Sequence, residues 1–181
     1  MKVLIGFETS GRDRRAFEAL GHDTWSVDLL PSEDRSNRHI IGDVRDHLND
    51  GWDLLAVFHP PCTRLCNSGV RWLTEPPTKL NPAHHSPSEI AAYLKMSREE
   101  RLAFMWAGLR SGAELFSDVW NAPIERIAVE NPVMHRHAKA LIQNYRPASQ
   151  TVQPWWFGDP AFKATGLYLK GLRPLVPTNK L

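Results

Sequence analysis

Cysteine is scarce in this sequence: Cys62 and Cys66 are the only two, four positions apart. That excludes a disulfide framework, and without a second ligand pair the spacing is a poor zinc signature. His84, His85, His135 and His137 do not complete one, because adjacent histidines in a loop and a His-x-His pair on a helix point in different directions. No metal is expected. No apolar run approaches the roughly 20 residues of a membrane-spanning helix, so no membrane association is expected, and Met1 to Gly6 is too short for a signal peptide. These absences predict a reducing compartment and a cytoplasmic protein. An excess of charge is missing too: 22 basic against 20 acidic side chains leave a net +2, too little to establish nucleic-acid binding. The clusters Arg12, Arg14, Arg15 and Arg35, Arg38, His39 read as solvated faces. Repeats and low-complexity segments are absent.

What is present fits one domain over residues 1–181, with 42% hydrophobic content to supply a core. Apolar runs predict strands at 3–7, 24–28, 40–44, 52–58 and 126–132, and extended pieces at 149–156 and 165–170 around a turn at 155–160. Helices are predicted over 12–20, stopped by Gly21, across 89–119 as one kinked helix or two with a capping box at Ser97, and over 135–145. Strands alternating with helices predict an α/β fold, a mostly parallel sheet with helices on both faces. Prolines and tryptophans concentrate between 72 and 88 and at 154–160, where long shaped loops are expected, the first of them as an active-site loop.

The segment His59-Pro60-Pro61-Cys62 closes the apolar run 52–58. Neither proline can donate to a sheet ladder, so Cys62 falls on a strand-to-loop rim, where ligands meet open α/β sheets. A nucleophile and a buried structural thiol are about equally expected there. The other strand ends present Phe7, Glu8, Gly11, Asp28, Asp43 and Glu130, which a doubly wound sheet brings to the same rim. Asp28 stands about twenty residues after the first turn, the distance at which a Rossmann-like unit places a carboxylate on a ribose. Cys66 reads as packing, and so does the Trp155-Trp156-Phe157 cluster.

In this order the chain resembles the cytosine-C5 methyltransferases, most closely their compact, often phage-encoded members. Phe7-Glu8-Thr9-Ser10-Gly11 resembles their cofactor loop, Asp28 their ribose-binding acid, Gly42-Asp43 their adenine-contacting acid, Pro60-Pro61-Cys62 their nucleophile loop, and Glu130-Asn131-Pro132 their Glu-Asn-Val element. Asn131 to Met134 and Gln153 to Gly158 match the style of the compact members' tail. The resemblance implies a Rossmann-like methyltransferase fold and S-adenosyl-L-methionine as cofactor, bound by residues 7–11, Asp28, Asp43 and Pro60. It implies Cys62 as the nucleophile that attacks carbon 6 of cytosine, Glu130 as the group on ring nitrogen 3, and Asn131 as its positioner.

Three departures shape the substrate expectation. Thr9 stands where the family usually has glycine. The family's Gln-x-Arg-x-Arg element is not evident, leaving Pro61, Arg64 and Lys163 as candidate substrate contacts, with Lys163 as a cationic substitute. No separate target-recognition domain is expected after Glu130. The expected activity is C5 methylation of cytosine in DNA, aided by a homodimer or protein partner. The alternatives are the same chemistry on a free cytosine nucleotide and a non-catalytic module that binds nucleic acid or protein.

Overall fold

The computed structural model describes residues 1–58 and 60–181. Seven strands form one sheet: β1 (Lys2–Gly6), β2 (Asp23–Asp28), β3 (His39–Ile41), β4 (Leu54–Val57), β5 (Arg126–Asn131), β6 (Gln150–Val152) and β7 (Thr165–Lys170). Their order is β3-β2-β1-β4-β5-β7-β6. All neighbouring pairs are parallel except those of β7, which runs antiparallel to both β5 and β6. The α/β class with a mostly parallel sheet is thus as expected, and the first five strands follow the Rossmann order.

Two faces of very different weight hold the sheet. Alternation along β1 sends Leu4 to one side and Val3 and Ile5 to the other. On the Leu4 side lies α3 (Arg98–Trp120), whose buried Met105, Leu109, Ala113, Phe116 and Trp120 recur at helical spacing and pack against Leu55, Val57, Ile127 and Val129. At roughly 1.5–3 kcal/mol for each large apolar side chain buried, this stripe outweighs the opposite face. There α1 (Arg12–Ala19) contributes Phe17 to a small cluster of Val3, Ile5, Leu54 and Ala56.

Eight largely charged residues make a poor helix on their own, and α1 is held instead by ion pairs. Arg14 is 3% exposed and pairs with Glu18 at 3.1 Å and with Asp34. Asp34 also takes Arg15 at 2.5 Å, and the Ser32 hydroxyl with these arginines holds its carboxyl at about 2. The basic cluster expected to be a solvated face is therefore partly buried and structural. In the other cluster Arg38 pairs with Asp23 and lies over Trp25, and His39 bonds Ser26 and the Leu30 carbonyl.

Several boundaries differ from expectation for local reasons. Gly42, Asp43 and Val44 leave the sheet because the Asp43 carboxylate caps a 3-10 turn over Val44–His47. β4 starts only at Leu54, after Gly51 at φ 74° and a bond from Trp52 Nε1 to the His47 carbonyl. The predicted helix across 89–119 is two: α2 (Pro87–Leu94) opens on a capping box of Ser86 and Glu89, and α3 on that of Ser97 and Glu100. The 72–88 loop is correspondingly shorter, because a 3-10 segment runs over Asn67–Leu73 and Pro87 already begins α2. The last helix, α4 (Arg136–Leu141), ends before Tyr145, since Ile142 is extended and Asn144 sits at φ 52°. No helix among the described residues is long and apolar enough to cross a membrane.

Candidate active site

Between β1 and β4 the chain reverses the direction in which it builds the sheet, and the loops leaving the carboxyl ends of these two strands flank the crevice where open α/β sheets bind ligands. One is Phe7–Gly11; the other carries Pro60, Pro61 and Cys62. Asp28 ends β2, Asp43 follows β3, and Glu130 and Asn131 end β5, so all the strand-end candidates share this rim. β7 is antiparallel and begins there, because Gly166 pairs with Asn131. That brings Lys163, an exposed residue two positions before β7, to the same edge.

The first loop is strained and tightly bonded. Phe7 adopts φ 59°, a left-handed conformation costly for a bulky side chain and typical of functional sites, with its amide donating to the Val27 carbonyl at 2.8 Å. It lines, with Pro60, Pro61 and Val57, a cavity of about 10 Å³ that amounts to a closed apolar floor. Glu8 is 2% exposed: Oε1 accepts from the Ser10 hydroxyl at 2.7 Å, while Oε2 has no partner among the described residues. Thr9 donates its hydroxyl to Glu33 at 3.0 Å. Gly11 sits at φ 70°, and a Cβ there would meet Asp34 Oδ2 at 2.2 Å. Its lack of a side chain is what lets the Arg14–Asp34–Arg15 bridge close over the loop.

The two acids differ in availability. Asp28 accepts from the Leu30 amide at 2.9 Å through Oδ1. Asp43 takes both Nε and Nη2 of Arg45, which, with the Arg45 amide, keeps its carboxyl below the usual carboxylate range. An adenine contact by Asp43 must therefore share that carboxylate with Arg45.

The Cys62 loop is anchored from both sides. The Cys62 carbonyl accepts from the amides of Leu65 (2.9 Å) and Cys66 (3.1 Å) and from the Cys66 thiol (3.0 Å). Cys66 is buried and acts as packing and an internal donor. The loop is then stitched to the chain leaving β5: the Asn67 amide donates to the Val133 carbonyl and the His135 amide to the Leu65 carbonyl, both at 3.0 Å. Burial, followed by the neighbouring Cys66 and Glu130, raises the Cys62 thiol above its ordinary range. Cys62 thus rests as a thiol, and Glu130 is near enough to affect its ionisation. Gly69 lies under this loop, where a Cβ would meet the Thr63 carbonyl at 2.2 Å. Gly69→Ala is expected to cost about 1–3 kcal/mol by overpacking, measured by urea denaturation; an unchanged midpoint would contradict the contact.

Asn131 is fully buried, and its Nδ2 donates to the Pro132 carbonyl at 2.7 Å. It therefore shapes the turn onto which the Cys62 loop is stitched. Sequence reasoning missed His135, whose Nδ1 accepts the Ala138 amide as the cap of α4 while Nε2 faces the Arg64 carbonyl at 2.8 Å. An accepting Nδ1 assigns the proton to Nε2, so the neutral ring bonds both elements at once. No local signal marks this residue, since both partners are remote or backbone. Burial lowers its pKa, so protonation of the unfolded chain comes first as pH falls. Stability should decline as pH drops below about 6.5 toward the lowered value. His135→Asn, which retains a capping acceptor, should flatten that decline between pH 7 and 5.5 in thermal melts; an undiminished slope would rule out His135 as its source.

No family model matches this chain, and no curated protein matches it. Among the described residues no group of three His, Cys, Asp or Glu side chains could hold a metal ion.

Proposed function

We propose that this protein is an S-adenosylmethionine-dependent C5-methyltransferase acting on cytosine in DNA. The reading is carried by one observation: the switch point of the sheet sets the thiol of Cys62, with Glu130 close enough to influence it, beside a strained loop that carries the buried Glu8 carboxylate, one oxygen of which has no partner among the described residues. The residues fit the cofactor. Glu8 Oε2 offers an acceptor for a cationic group such as the methionine ammonium, Asp28 retains capacity for a ribose hydroxyl, and Asp43 would meet an adenine edge while bound to Arg45. Phe7 and Pro60 supply the apolar contact. From the end of β3 to the end of β4 is three strand spacings, about 14 Å, a span suited to an extended adenosyl-methionine.

Carbon 5 of cytosine is a weak nucleophile, and the protein's own groups change that. Cys62, once ionised, adds its sulfur to carbon 6, breaking the 5,6 double bond and pushing electron density toward carbon 5 and ring nitrogen 3. Glu130 in its acid form hands a proton to nitrogen 3 as that charge develops. When bound, S-adenosylmethionine supplies the methyl group that carbon 5 accepts. Loss of the carbon 5 proton to a base then restores the double bond, expels the Cys62 thiolate, and returns the nitrogen 3 proton to Glu130. In this reading Pro61, Arg64 and Lys163 are the substrate contacts, and a partner or second copy would supply any sequence readout.

The test is incubation with methyl-labelled S-adenosylmethionine and, in parallel, duplex DNA, single-stranded DNA and deoxycytidine monophosphate. Label at carbon 5 of cytosine is the expected result. Label on the nucleotide alone would move the substrate to the free monomer, and absence of label on all three would overturn the reading.

A further inference from the structure

A second cavity opens directly beyond the Cys62 loop. It measures about 380 Å³, and its walls include Arg64, Lys79, His84, His85, Asn81 and Trp72. Among the described residues no carboxylate lines it; His85 on its wall lies 3.9 Å from the Glu89 carboxylate. Arg64 follows Cys62 by two residues, and its half-buried side chain runs along α3 at Gly108. Its guanidinium makes one hydrogen bond among the described residues, to the thioether of Met105 at 2.9 Å, a weak acceptor for a group with five donors. A cation taken out of water without a counter-charge is costly. Burial accordingly lowers the Arg64 pKa.

The far wall is fixed in place, not a loose loop. Tyr93 donates its hydroxyl to the Pro77 carbonyl at 2.7 Å, Arg101 reaches the Thr78 carbonyl and Arg98 the Thr74 carbonyl, while Leu80 is buried. Lys79, Asn81 and His84 are thereby presented on a pinned ridge facing Arg64.

We infer that this cavity is a phosphate site for the substrate: the Arg64 guanidinium, with Lys79 opposite, binds the phosphate attached to the cytosine nucleoside whose ring meets Cys62. The inference rests on the cytosine reading for the identity of the base only. The phosphate is either the terminal group of a free nucleotide or a phosphodiester of a strand, and the same groups would hold both.

Calorimetric titration of the full chain without cofactor separates these sources and needs no turnover. The probes are deoxycytidine, deoxycytidine monophosphate and a short single-stranded oligonucleotide, against wild type, Arg64→Gln and Lys79→Gln, each verified as folded by circular dichroism. Lys79 is exposed, so its variant remains informative should Arg64→Gln unfold. The monophosphate binding at least about tenfold more tightly than the nucleoside, with that margin lost in either variant, supports the site with a free nucleotide as source. Tight, salt-sensitive oligonucleotide binding that falls about tenfold in the variants, with no monophosphate advantage, supports it with a strand phosphodiester. Equal affinities for nucleoside and monophosphate, together with oligonucleotide binding indifferent to both variants or absent, overturn it. Methyl transfer does not enter these outcomes, so failure of the methyltransferase reading would show separately.

Discussion

Cys62→Ser is expected to abolish methyl transfer, with a loss of at least about a thousandfold, the scale on which removing a nucleophile costs an enzyme that works through a covalent intermediate. A serine hydroxyl has nearly the shape of the thiol but does not ionise in the working range. The loop should survive the change, because what anchors it is the Cys62 carbonyl, which accepts from Leu65, Cys66 and the Cys66 thiol and is untouched by the substitution. Denaturant midpoints within about 0.5 kcal/mol of wild type, together with complete loss of label transfer, are the predicted pair of results. Residual transfer above a few per cent would remove Cys62 from the chemistry. The wild-type thiol provides an independent check: burial, Cys66 and Glu130 hold it above its ordinary range, so alkylation by iodoacetamide should keep accelerating with pH well beyond pH 8.5. A plateau at neutral pH would mean a thiolate stabilised by something else.

Glu130→Gln is the second large effect, and it should move two measurements in opposite directions. In its proposed role as the acid that protonates the ring, Glu130 would contribute on the order of 10²–10⁴-fold, which the amide cannot supply. As a nearby negative charge it opposes ionisation of Cys62, and removing that charge should make the thiol easier to ionise. Methyl transfer is therefore expected to fall by at least about a hundredfold while alkylation of Cys62 at fixed pH becomes faster. A disrupted loop would alter both without that opposition, so a parallel decline would show that Glu130 is a structural residue.

His135 and Gly69 connect these effects to the fold. Both act on the position of the Cys62 loop and neither touches the reacting atoms, which is why their predicted signatures lie in stability and pH response. The ion-paired Arg14 does the same for the Phe7–Gly11 loop: it ties α1 to that loop through Asp34, and Gly11 leaves the room for that bridge.

Local sequence was sufficient for the elements whose signals are local. The apolar runs of β1, β2, β4 and β5, the stop at Gly21, and the Ser97–Glu100 capping box all depend on neighbours within a few residues, and a parallel α/β sheet follows from their alternation. Because parallel strands all end at one edge, the placement of Phe7, Asp28, Cys62 and Glu130 on a shared rim was legible as well. What the sequence could not disclose depends on partners far along the chain. Burial of Arg14 requires Asp34, twenty residues away; the Cys62 loop is held by Val133 and His135, about seventy residues on; the antiparallel entry of β7 between β5 and β6 delivers Lys163 to the rim. The cationic cavity exists only because α2 and α3 pin the 74–86 segment against Arg64. Periodicity and caps report the free energy of neighbouring residues, whereas a charge loses its solvent, or a carbonyl gains its donor, only when remote segments meet, and that meeting is decided by the tertiary structure alone.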